Sequence, residues 1–435
     1  MRRLALITTA VALCAGLTGF AALHTDAPPT AQPARAGGAN PRSAASLGTA
    51  ITDLQHTLAQ HPQNPGSWAQ LGGLYVEQAR LTVDPTLYPK AETALRRSLS
   101  QQPQANTVAL TGMAQLANAR HQFTAARNWA RQAVASDPYA PAPYGALTDA
   151  LTQLGDDTQG QASLQKMLDL RPSTASFTRA SYALELHGRT DEAAVALDRA
   201  LEDASTRADQ AFCHHYLGEL AFNTGSPQDA LRHFRTALSL DPTYIASLAG
   251  AARAEAALGQ SEKATRDYRR AIDRVPQPQY VLEFGELLQS LGRSVEARRQ
   301  YAVLEAEQKL FAANGVVDDL NLGQYQADHG SPQRAVTLLS AEWKRRHNVI
   351  VADALSWALH RAGRDEQALA LANSAAVLGW KDAALFYHRG VIEDSLGQTD
   401  AARNDLSRAL QLNPHFSPLY APDARQRLAR LRGTS

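Results

Sequence analysis

Residues 211–242 read AFCHHYLGELAFNTGSPQDALRHFRTALSLDP. The pattern is that of two amphipathic helices joined by a tight turn. Leu217, Gly218 and Ala221 share one face of the first helix, and Ala230, Phe234 and Ala237 share one face of the second. Gly225 is placed to end the first helix in a left-handed conformation. Ser226 is placed to cap the second, with Pro227 at its first position and Asp229 three residues on, and Pro242 closes the unit. A hairpin of this size cannot bury its own apolar face, so the stretch predicts copies of itself.

The copies follow when the chain is aligned on itself. Leading first-helix residues fall at Trp68, Leu110, Tyr144, Phe177, His214, Leu248, Val281, Asp319, Ala352 and Phe386, with offsets of 42, 34, 33, 37, 34, 33, 38, 33 and 34. Setting aside an insertion around residues 81–85, the period is about 34 residues. Packing positions recur with it. A turn glycine stands at Gly155, Gly188, Gly225, Gly259, Gly292, Gly330, Gly363 and Gly397. A small residue opens the second helix at Ala91, Ala126, Ala193, Ala230, Ala264, Ala297, Ala335, Ala368 and Ala402. Four residues later comes a filler: Leu95, Leu164, Leu197, Phe234, Tyr268, Tyr301, Leu339 or Leu406. A closing proline follows at Pro103, Pro138, Pro172, Pro242, Pro276 and Pro414.

These residues resemble the tetratricopeptide repeat over residues 64–414, in ten units. The best matches are Trp68-Leu71-Gly72-Tyr75, residues 211–242 and residues 387–414. The resemblance implies an all-α fold: a right-handed superhelical solenoid of helix-turn-helix units whose concave face is lined by the first helices. Units two, eight and nine depart most from the pattern, with Asp319 and Ala352 in place of the aromatic, so irregularity is expected there. Residues 44–63 read as an N-terminal capping helix through Ile51, Leu54 and Leu58, and residues 415–435 as a C-terminal cap with arginines along one side.

Ahead of this body, Arg2 and Arg3 precede an uncharged apolar run over residues 4–23, the pattern of a signal peptide or signal anchor. Residues 1–36 are assigned to that signal with its spacer, and residues 37–43 to a flexible linker rich in Gly, Pro and Ala. An exported or cell-envelope location is expected, with membrane attachment if the segment is not cleaved. Ala34-Arg35-Ala36 offers a small-x-small cleavage site, and Leu13 before Cys14 argues against a lipid anchor. Beyond the signal Cys213 is the sole cysteine, so an internal disulfide is excluded. Six lysines among 43 basic residues suggest the codon bias of a GC-rich, actinobacterium-like genome.

A net charge of +1 supplies no basic field, so nucleic acid is not an expected partner. The chain has no GxSxG, P-loop, HExxH or paired CxxC, and neither catalysis nor a cofactor is expected. Cys213, His214 and His215 are all good ligand types for zinc or copper. Neighbours on a helix point about 100° apart, however, so the three cannot hold one ion from one face, and no metal is expected there. Packing explains them instead, with His214 at the inter-helix position.

The sharper candidate is the concave face. Side chains one, five and eight to nine residues after each leading position share an inward stripe. In units four to six these are Tyr182, Glu185, His215, Glu219, Phe222, Asn223 and Arg253; in units nine and ten they are Asp353, Trp357, His360, Arg361, Tyr387 and Asp394. Rings among polar groups of both signs suit a peptide groove, the rings supplying contact area and the polar groups register. No lysine stands at these positions, which disfavours a clamp for a terminal carboxylate. The expected function is a non-catalytic scaffold that holds a protein or peptide segment in that groove. The alternative is a structural or self-associating assembly factor for an export, cell-wall or metal-handling system.

Overall fold

The computed structural model describes residues 44–433. Among them there are 22 helices and no strand. After α1 (Ala44–Gln60) come five helix pairs: α2 (Pro65–Thr82) with α3 (Leu87–Gln101), α4 (Thr107–Ala119) with α5 (Phe123–Ser136), α6 (Pro141–Gln153) with α7 (Asp157–Leu170), α8 (Thr174–Leu186) with α9 (Thr190–Asp203), and α10 (Arg207–Asn223) with α11 (Pro227–Leu240). Five more follow: α12 (Ile245–Ala257) with α13 (Ser261–Arg274), α14 (Pro278–Ser290) with α15 (Ser294–Ala313), α16 (Leu320–His329) with α17 (Pro332–Arg345), α18 (Val349–Arg361) with α19 (Asp365–Ala375), and α20 (Ala383–Ser395) with α21 (Thr399–Leu412). The last helix, α22 (Tyr420–Gly433), packs on α21, as α1 packs on α2. Residues 1–36 and 37–43, assigned above to signal and linker, lie outside the described residues. No helix among the described residues is long and apolar enough to cross a membrane.

The filler positions explain how one pair stacks on the next. Phe234 of α11 is fully buried, and its ring lies against Gly218 of its own unit and Gly250 of the following one. A Cβ at either glycine would come within 2.6 Å of that ring. The second-helix filler is therefore a wedge shared by two first helices, and the glycines are the slots that admit it.

Departures fall near where the pattern weakens. The insertion lengthens α2 to 18 residues and ends it on Val83 with φ 51°; α16 has 10 residues and α19 has 11, while α15 reaches 20. Asp319, at the aromatic position of unit eight, is the residue before α16 and pairs with Arg345 at 2.6 Å. Gly330 has φ −130°, outside the left-handed region of the other turn glycines. Ser226 stands at the N-cap of α11 as expected, but its side chain makes no capping bond; Pro227 at the first position sets the helix start.

The superhelix closes on itself within the length of the chain. Gln122 Nε2 donates to the Gly315 carbonyl at 3.2 Å, Arg346 and Asn348 both donate to Gln153 Oε1, at 3.1 and 2.8 Å, and Asn413 Nδ2 donates to the Phe222 carbonyl at 2.8 Å. These partners are 191 to 195 residues apart, between five and six repeat lengths. The turns inside units two to five dock on the loops that leave units seven to ten. Gly225 shows what the docking demands: its φ is +82°, and a Cβ there would meet the Leu412 carbonyl oxygen at 2.4 Å. One buried core runs across both turns of the superhelix, from Leu164 and Tyr182 through Trp357 and Tyr387 to Leu431.

Candidate functional site

All thirteen candidate residues lie on the first helices, and several of them line an interior that the second superhelical turn largely fills. Tyr182, His215, Phe222, Asp353, Trp357 and Tyr387 are buried, the last 2% exposed, whereas Arg361 is 41% exposed on its side chain. The open groove expected from one turn of solenoid is thus replaced by a packed lumen with a cavity in it.

The residues from α8, α10 and α12 form one connected set. Arg253 lies 4.4 Å above the Phe222 ring, donates to Glu219 at 2.6 Å and reaches Glu283 of α14 at 3.5 Å. Burial pulls the Arg253 pKa down, but the two carboxylates outweigh it and keep the guanidinium charged. Asn223 Nδ2 donates to Glu185 at 2.9 Å. Burial, with Glu219 and Asp382 nearby, outweighs that bond and pushes the Glu185 carboxyl up to about 7. His215 does not face open solvent. Its ring is pressed against Tyr216, Phe234 and Tyr244 at 5.1 to 5.7 Å, Ser247 Oγ lies 3.3 Å from Nδ1, and burial takes its pKa down to about 4.

The residues from α18 and α20 form a second set, built on rings. Trp357 stacks on His388 at 4.5 Å, touches Tyr387 and His360, and donates Nε1–H to Asp328 at 2.8 Å. Tyr387 donates its hydroxyl to Asp423 of α22 at 2.8 Å and stacks on Tyr420. His388 Nδ1 sits 3.0 Å from the Asp353 carboxylate. His360 turns away to Asp365 at 2.6 Å, Arg361 donates to the Ala327 carbonyl at 3.1 Å, and Asp394 is held by Arg427 and Arg430 of the terminal helix.

Beside the first set lies a cavity of about 340 Å³. Phe222, Asn223 and Arg253 line it from the first turn, Glu283, Glu286 and Tyr268 from α13 and α14, and Asp382, Asn413, His415, Phe416 and Arg425 from the second turn. Glu286 obeys the inward-stripe rule, five residues after Val281, and was legible from unit seven. The residues after α21 were not, because they reach the lumen only through closure of the superhelix. Burial raises the pKa of Glu286 and brings that of Asp382 to about 6, so the wall carries carboxyls that a cationic or hydrogen-bond-donating group would satisfy.

The side chains of the Cys213-His214-His215 run diverge. Cys213 is fully buried in a small cluster with Ala200 and Ala204, His214 Nδ1 lies 3.2 Å from His233 Nδ1 of the paired helix, and His215 points to the next unit.

Residues 211–244 and 383–416 each match the tetratricopeptide repeat family. No curated protein matches the chain. Among solved structures, human IFIT1 as a dimer with PPP-AAAA is 17% identical and aligns over 77% of this chain and 79% of its own, with a TM-score of 0.48. A tetratricopeptide repeat protein from Parabacteroides merdae is 18% identical over 60% of this chain and 98% of its own, with a TM-score of 0.35. PilW, a type IV pilus biogenesis factor, is 20% identical over 46% and 92%, with a TM-score of 0.40. The two matched segments coincide with the pairs α10–α11 and α20–α21, so sequence match and helix packing both support the tetratricopeptide repeat family.

Proposed function

We propose that this chain is a non-catalytic scaffold, exported to the cell envelope, that binds a protein or peptide partner at the lumenal cavity. The observation that carries the reading is the cavity wall, where Phe222, Tyr268 and Phe416 stand among Asn223, Arg253, Glu286 and Asp382. Rings beside fixed polar groups give contact area and register together. A volume of about 340 Å³ suits the tip of a partner segment, with one or two side chains inserted, and not a whole helix laid along a groove. The export pattern over residues 4–23 supports the envelope location.

The test uses the exposed rim of the cavity, so that the fold is spared. Envelope proteins retained by the wild-type chain should be lost with a His415→Glu, Arg425→Glu double variant of unchanged melting temperature. Retention of the same proteins by both would overturn the cavity as the binding site. The N-terminal mass of the chain recovered from supernatant and from membranes tests export separately.

A further inference from the structure

Unit two has a histidine where the following units have the turn glycine: His121 aligns with Gly155, 34 residues on. The backbone there remains left-handed, with φ +59°, a region that histidine enters at a cost and glycine does not. The side chain that occupies this position crosses to the second superhelical turn. His121 Nδ1 is 3.7 Å from Asp318 Oδ2, and one ligand atom each from His121, Asp318 and Glu342 lie within 4.8 Å of one another.

Both carboxylates also pair with the two arginines that end α17 and follow it. Asp318 Oδ1 accepts from the Leu320 amide at 3.0 Å and lies 3.5 Å from Arg346. Glu342 Oε2 accepts from the Asp319 amide at 3.0 Å and from Arg345. Glu342 Oε1 forms an ion pair with Arg346 Nε at 2.5 Å, and its side chain is 1% exposed. His121 Nδ1 has no hydrogen-bond partner. Asp318, Asp319 and Glu342 face two guanidiniums, Arg345 and Arg346, so one negative charge is in excess. A cavity of about 90 Å³ reaches His121 and Asp318, with Asn321 and Arg80 also in its wall, and has room for a water ligand.

We infer that His121, Asp318 and Glu342 form a divalent-cation site of the zinc class that clasps the first superhelical turn to the second. One imidazole nitrogen and two carboxylate oxygens, with water in the fourth position, match what zinc takes at about 2.0–2.2 Å. Side-chain rotations of about 1 Å close the present spacing to the ~3.4 Å between ligands of a tetrahedral ion. The ion joins the turn inside unit two to the loop before α16 and to α17, where the hydrogen bonds between turns already run.

The experiment is thermal melting and Co²⁺ absorption titration on the full chain, purified without a histidine tag and first stripped with EDTA. Wild type should gain about 2–5 °C on adding zinc and bind one Co²⁺ per chain with visible ligand-field bands. His121→Gly removes the ligand while giving the left-handed position its ordinary residue, so its metal-free melting temperature should match wild type or exceed it. Its zinc shift and cobalt bands should vanish. Absence of either signal in wild type, or its survival in His121→Gly, overturns the site.

Discussion

Asn413 Nδ2 donates a 2.8 Å hydrogen bond to the main-chain carbonyl of Phe222, 191 residues earlier in the chain. Asn413 is 2% exposed and forms part of the cavity wall. Asn413→Ala should cost about 0.5–1.5 kcal/mol, the net worth of one such bond, because the Phe222 carbonyl still accepts from the Gly225 amide at 3.0 Å. Asn413→Asp should cost more, since an acceptor would then face an acceptor. Urea unfolding measures both, and an Asn413→Ala midpoint equal to wild type would show that the turn-to-turn contact does not stabilise the fold.

The turn glycines separate by what lies above them. Gly225 and Gly397 have φ of +82° and +73°, so alanine strains either by about 1–2 kcal/mol. Above Gly225 stands the Leu412 carbonyl, 2.4 Å from a Cβ, whereas Gly397 has nothing within 4 Å. Gly225→Ala should therefore lose more stability than Gly397→Ala, read as the difference in urea midpoint. Equal losses would mean that the two turns do not touch in solution.

Two buried groups push stability in opposite directions with pH. Glu185 titrates at about 7 when folded and in the ordinary carboxylate range when unfolded. Its protonated form is what the fold holds, so its contribution is complete below about 4.3 and is lost as pH rises through 7. His215, brought down to about 4, is held neutral; its contribution is complete above about 6.5 and is lost as pH falls through 4. Stability should peak between these limits. Glu185→Gln should flatten the loss from pH 5 to 8, and His215→Phe the loss from pH 6.5 to 4, each read from melting temperature across a buffer series. A Glu185→Gln variant that falls with pH as steeply as wild type would contradict the first assignment.

The terminal helix is tied down through the ring cluster. Tyr387→Phe removes the hydroxyl that donates to Asp423 and leaves the ring contacts with Trp357 and Tyr420 in place. About 1.5 kcal/mol or more is expected from a bond to a charged acceptor. The change should appear locally, as faster tryptic cleavage at Arg425, Arg427 and Arg430 with little change in global melting. Unchanged cleavage would mean that the hydroxyl bond does not hold α22.

The sequence alone was enough to read the repeat. A 34-residue spacing, a glycine at the turn and a filler opposite small residues are local requirements of a helix pair that packs on its like, so Phe234, Gly218 and Gly225 declare themselves within one stretch. The same reading grouped the side chains that share one face of each first helix, because a helical face follows from spacing. What faces them was decided only by tertiary structure. Each unit turns slightly relative to the last, and small rotations summed over five to six repeats determine whether the superhelix stays open or meets itself. Here it meets itself, bringing Asn413 to Phe222, Gln153 to Arg346 and His121 to Asp318. Trp357 and Tyr387 became part of a filled interior, and the residues after α21 became a cavity wall, because the angles between successive helix pairs accumulate where no single repeat records them.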